Sequence, residues 1–159
     1  MAKETGARRS KDLVKLSHEH HHALVFCTRL KKVQRVDLKT LQLFVDDFRK
    51  NYLLVHFENE EKLFLPLMPD TEIKRQFIAE HKQIKQLVQL LLALKENDNE
   101  LAIKLSELIL SHVRFEEKIM FPYLEKTLQP NELATIGIAL SEIEITAHKF
   151  TPEFWKNEN

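Results

Sequence analysis

A single cysteine, Cys27, and only two glycines, Gly6 and Gly137, stand in this chain of 159 residues. A lone cysteine excludes an intramolecular disulfide and suits a reducing compartment. With only five prolines beside those glycines, turn chemistry is too scarce for a β-rich fold, so an all-α chain is expected. No excess of either charge is present: 24 Lys and Arg balance 24 Asp and Glu, for a formal net charge of zero. Nothing there asks for nucleic acid or an anionic membrane as partner. Long hydrophobic runs are missing too. The most apolar stretch, Leu87 to Leu94, is broken by Gln89 and too short to cross a bilayer. Met1 to Lys15 is polar and basic, without the apolar centre of a secretory signal. A single soluble, cytoplasmic domain is expected.

What is present is helical periodicity. A basic tail is expected over 1–10, then a helix opened by Ser10 or Asp12 and running to about Val36. Asp37 or Thr40 opens a second, whose Leu41, Phe44, Val45, Phe48, Tyr52, Leu63 and Leu67 recur at three- and four-residue steps. Pro66 and Pro69 end it. Thr71 caps a third helix, running to about Lys95, and Glu96 to Asn99 form a turn. A fourth carries Leu101, Leu105, Leu108, Ile109, Ile119 and Tyr123, with Pro122 near its end. Short connections between long helices imply an up-down-up-down antiparallel four-helix bundle over residues 11–150. An additional C-terminal helix from about Asn131 to Phe150 either packs on the bundle or offers a face for a homodimer. Residues 151–159, Trp155 included, form a tail that docks in part.

An internal repeat carries the functional argument. His56-Phe57-Glu58-Asn59-Glu60-Glu61-Lys62-Leu63-Phe64-Leu65-Pro66 overlays His112-Val113-Arg114-Phe115-Glu116-Glu117-Lys118-Ile119-Met120-Phe121-Pro122 at a constant offset of 56 residues. Histidine, the glutamate four places on, the next Glu-Lys and the closing proline coincide. A shorter match pairs Glu19-His20 with Glu80-His81. The chain reads as a duplicated helical hairpin, each copy holding one histidine on its first helix and His-x-x-x-Glu on its second.

Residues four apart share a helix face, so His56 points with Glu60, and His112 with Glu116. Both pairs fall on apolar stripes, as do His20 (with Leu16, Ala23, Leu24 and Cys27) and His81 (with Phe77, Ile78, Ile84 and Val88). Two inward carboxylates without a cation would be prohibitive to bury. No inward lysine or arginine is evident, so metal is the expected counter-charge. Imidazole with carboxylate suits iron, zinc, manganese or copper better than calcium or magnesium. The duplication implies two ions, each with two histidines, bridged by Glu60 and Glu116.

On His20, His56-x-x-x-Glu60, His81 and His112-x-x-x-Glu116, over about residues 10–125, the sequence resembles the hemerythrin-like (HHE cation-binding) family. That resemblance implies a non-haem di-iron centre with an oxygen-species bridge and Glu60 and Glu116 as bridging carboxylates. Zinc or manganese are possible substitutes, and oxygen, peroxide or nitric oxide the expected small ligands. Oxygen-carrying members have a second histidine on the third helix, four residues from the first. Phe77 and Lys85 occupy the flanking positions here, and His21, His22 or water are the candidates to fill the vacancy.

Several neighbours have blander assignments. Glu58, Glu61-Lys62 and Glu117-Lys118 read as solvated edges, and His18, His21 and His22 as surface residues. Cys27 reads as core, and His148 as a partner for the last helix's dipole. A small-ligand binder or sensor is the leading functional class. A metal-dependent oxidase or peroxidase and a helical interaction module with a structural metal are the alternatives.

Overall fold

The computed structural model describes residues 8–145 and 149–156, all helix and connection, with no strand among them. Five helical rods run through the described residues. The first is α1 (Val14–Leu30). The second joins α2 (Leu38–Phe48) to α3 (Leu54–Phe64) through a π-helical turn, Arg49–Leu53. The third is α4 (Glu72–Ala93). The fourth joins α5 (Asn99–Phe115) to α6 (Phe121–Thr127) through a second π turn, Glu116–Met120, and the fifth is α7 (Pro130–Ser141). Along the bundle, α1 packs on α5, and α4 packs on both α2 and α5.

The helix starts follow from side chains that satisfy otherwise orphaned backbone donors. Asp37 accepts from the Thr40 amide at 2.9 Å, Thr71 from Lys74 at 3.2 Å, and Asp98 from Leu101 at 3.0 Å. At α1 the expected cap is displaced. The Ser10 hydroxyl accepts from Asp12, while the Ser10 carbonyl receives the amides of Leu13 and Val14. This helix also stops at Leu30, six residues early, and a 3-10 turn at Val33–Arg35 follows.

The repeated prolines behave differently in their two settings. Pro66 lies in the 3-10 turn Leu65–Leu67 that closes the second rod. Pro122 is absorbed into α6, and the fourth rod continues to Thr127. A proline inside a helix lacks one donor and crowds the carbonyl four residues back. Here that carbonyl belongs to Lys118, within the wider π turn Glu116–Met120.

The last helix ends at Ser141 rather than near Phe150. The Lys15 ammonium reaches the carbonyls of Leu140 and Ile143 and satisfies the orphaned helix end. The β-branched Ile143 and Ile145 that follow are poor helix continuers. Beyond them, Phe150, Phe154 and Trp155 gather round Phe44 at 5.1, 5.0 and 5.7 Å between ring centres. Arg29 lies over the Trp155 ring at 4.1 Å. His148 lies outside the described residues.

The core is divided. One apolar cluster takes Ala23, Phe26, Cys27 and Leu30 from α1 with Phe44, Phe48, Ile84, Leu91, Leu105 and Ile109. The other takes Leu13 and Leu16 with Phe64, Phe77, Phe115, Met120, Phe121 and Leu140. On α1, His20 falls between Leu16 and Ala23, and on α4 His81 falls between Phe77 and Ile84. A buried polar layer therefore lies across the rods, with dry packing on both sides of it.

Candidate metal centre

Six side chains form this layer, and all are buried: His20, His56, Glu60, His81, His112 and Glu116. α1 supplies His20, α3 supplies His56 and Glu60, α4 supplies His81 and α5 supplies His112. Glu116 opens the second π turn. Their donor atoms fall into two groups, His20–His56–Glu60–Glu116 and Glu60–His81–His112–Glu116, each with its atoms within 4.8 Å of one another. Both glutamates belong to both groups. His20 Nε2 and His112 Nε2 each lie 2.9 Å from Glu116, His56 Nε2 3.3 Å from Glu60, and His81 Nε2 3.2 Å from Glu60 and 3.5 Å from Glu116.

Behind every imidazole stands a second carboxylate. His20 Nδ1 donates to Glu117 at 2.7 Å, His56 to Glu19 at 2.8 Å, His81 to Glu61 at 2.6 Å and His112 to Glu80 at 2.7 Å. The set obeys the repeat. Glu19 and Glu80 precede the histidines of the first helix in each copy and serve the His-x-x-x-Glu histidine of their own copy. Glu61 and Glu117 serve His81 and His20 of the opposite copy. An imidazole whose Nδ1 proton is held by a carboxylate turns its Nε2 lone pair inward, which is the orientation a metal ligand needs.

The assignment of Glu61 and Glu117 as solvated edges is therefore corrected. Both are half-buried and anchored, Glu61 also by Lys85 at 3.3 Å and Glu117 also by Ser17 at 3.0 Å and Arg9 at 3.5 Å. Lys62, Lys118 and Glu58 are exposed as expected. Leu24, Ile78 and Ile119, expected on the inward stripes, are exposed as well.

The layer gathers positive charge strongly. Burial alone would lower each imidazole pKa, but the carboxylates outweigh it. They raise His20 and His112 to about 9, and His56 and His81 to about 10. Burial likewise opposes ionisation of Glu116, yet His112, His20 and His81 hold it well below the usual carboxylate range. Even so, Nε2 of His56, His81 and His112, both oxygens of Glu60 and Oε2 of Glu116 have no hydrogen-bond partner. Buried polar atoms left unpaired are costly, and six of them converge here. Nitrogen and carboxylate donors in this number fit a transition-metal cation.

Aromatic rings close the layer off. His20 lies parallel to Phe121 at 5.7 Å, His56 to Tyr52 at 4.9 Å, and His81 to Phe57 at 3.7 Å. No fifth imidazole enters from the positions flanking His81. Phe77 is buried against the His81 ring at 4.2 Å, and Lys85 pairs with Glu61. His21 and His22 belong to neither donor group; His21 is exposed and His22 half-buried beside Tyr52. Cys27 is core, its thiol donating to the Ser106 carbonyl at 3.4 Å.

A family model described as the Hemerythrin HHE cation binding domain matches residues 11–124. No curated protein and no solved structure matches the chain.

Proposed function

The chain belongs to the hemerythrin HHE cation-binding family, and on that footing we propose that it is a di-iron protein that binds or senses a small ligand or redox state. The two donor groups that share both Glu60 and Glu116 carry this proposal. In it, His20 and His56 hold one ion, His81 and His112 the other, and the two glutamates bridge them. The four longer rods then form the up-down-up-down bundle of the family, with α7 added.

In the metal-free protein the four raised imidazoles carry protons that bound cations would replace. Six carboxylates (Glu19, Glu60, Glu61, Glu80, Glu116 and Glu117) surround the layer, and the nearby fixed cations are Arg9 and Lys85 at its margin. Iron, when bound, supplies a reversible change of charge and coordination positions open to oxygen, peroxide or nitric oxide. The chain's own residues do the rest. The outer glutamates fix the four rings, the aromatic rings keep water away, and the lack of a fifth imidazole leaves room for a ligand.

No described helix is long and apolar enough to cross a membrane. The single buried cysteine fits the reducing cytoplasm proposed as its location. Metal analysis with an absorption spectrum after anaerobic iron loading tests the proposal. About two irons per chain and charge-transfer bands that bleach on reduction are expected. A colourless protein that takes up no iron refutes it.

A further inference from the structure

The two halves of the layer are matched in their ligands but not in what stands one turn before them. Tyr52 precedes His56 by four residues, within the π turn Arg49–Leu53. In the repeat register its counterpart, 56 residues on, is Leu108. Only the His20–His56 half therefore has a hydroxyl at this place.

Tyr52 is buried, with 5% of its surface exposed, and its hydroxyl has no hydrogen-bond partner. A buried tyrosine normally finds one. The ring lies at 17° to the His56 ring and stacks on Phe48 at 5.1 Å on the other side, so its plane is fixed. A phenol hydroxyl can donate one hydrogen bond, and here it has no acceptor. Tyr52 also lines a cavity of about 280 Å³ shared with His22, Phe26, Arg29, Asp47 and Phe48.

Resting on the di-iron proposal above, we infer that the Tyr52 hydroxyl is the hydrogen-bond donor to a small acceptor ligand, diatomic or triatomic, held in the His20–His56 half of the site. The ligand's terminal atom supplies the acceptor that the hydroxyl lacks. No bond to oxygen or hydrogen breaks; the hydroxyl only donates. The His81–His112 half, with leucine in the matching position, has no such donor, so the two halves differ in ligand affinity.

The test compares wild type with Tyr52→Phe, using azide as the probe ligand on iron-loaded, oxidised protein. Phenylalanine keeps the ring and its stacking on His56. Iron content is expected to be unchanged and azide binding about tenfold weaker. The metal-free variant is expected to melt at the wild-type temperature or a few degrees above it, because the lost hydroxyl had no partner. Equal azide affinity at equal iron content overturns this inference and leaves the di-iron proposal standing. Loss of iron from Tyr52→Phe overturns the donor role in favour of direct ligation. Wild type that takes up no iron overturns both.

Discussion

Neutralising the outer carboxylates one at a time should weaken metal binding in proportion to their burial. Glu19, Glu80, Glu117 and Glu61 each accept from one imidazole Nδ1, but their side chains are 7%, 19%, 29% and 31% exposed. Substitution by glutamine keeps an acceptor oxygen at the same place and removes only the charge. Loss of such a partner typically costs 10- to 100-fold in metal affinity, or about 1.4–2.7 kcal/mol. Glu19→Gln, in the driest setting, is expected near the upper end. Glu61→Gln and Glu117→Gln are expected near the lower end, because solvent screens their charges. Competition against a chromophoric chelator at fixed pH measures the series, with exposed Glu58→Gln as the unaffected reference. Wild-type affinity in Glu19→Gln, or a larger loss in Glu61→Gln than in Glu19→Gln, would refute the reasoning.

Other outcomes follow from the same geometry. His56→Ala or His112→Ala should lower iron content below that of wild type, as metal analysis will show; unchanged content would remove these residues from the ligand set. Burial pushes the Cys27 thiol up to about 12, so at pH 8 a thiol reagent should label it only after unfolding. Stoichiometric labelling of the native protein within minutes would contradict that. Phe154→Ala removes a nearly buried ring from the side of Phe44 and should cost about 3 kcal/mol. A melting point lowered by roughly 6–12 °C with unaltered metal content is the expected pair of results. Loss of metal there would mean the far cluster and the polar layer are not separable.

The six candidate ligands were legible because their chemistry is written twice, His56 and Glu60 again as His112 and Glu116 and His20 again as His81. Four histidines and two glutamates on helical stripes can be aligned without knowing which rods touch. Asp37 and Thr71 were legible as caps for a similar reason, since a cap acts on backbone three residues away. The outer carboxylates were not. His20 and Glu117 are 97 residues apart, and Glu117 sits one position past Glu116, roughly a quarter turn round the rod from it. Periodicity says which way Glu117 faces its own rod, not which neighbour's ring it reaches. The signal was nonetheless present, because Glu19/Glu80 and Glu61/Glu117 repeat as faithfully as the ligands do. Pro66 and Pro122 show the opposite limit. Identical residues in matched positions end one rod and pass through the other, because a π turn is available at only one of them.

Splitting the hydrophobic interior in two has a consequence for how the protein meets its cargo. Each dry half is closed by its own leucines and phenylalanines, so folding can finish with nothing but protons in the gap. On the proposed function, filling that gap would then be a separate, reversible event, whose extent would follow the free concentration of the ion outside. A receptacle assembled in advance can report supply; one that forms only around its contents cannot.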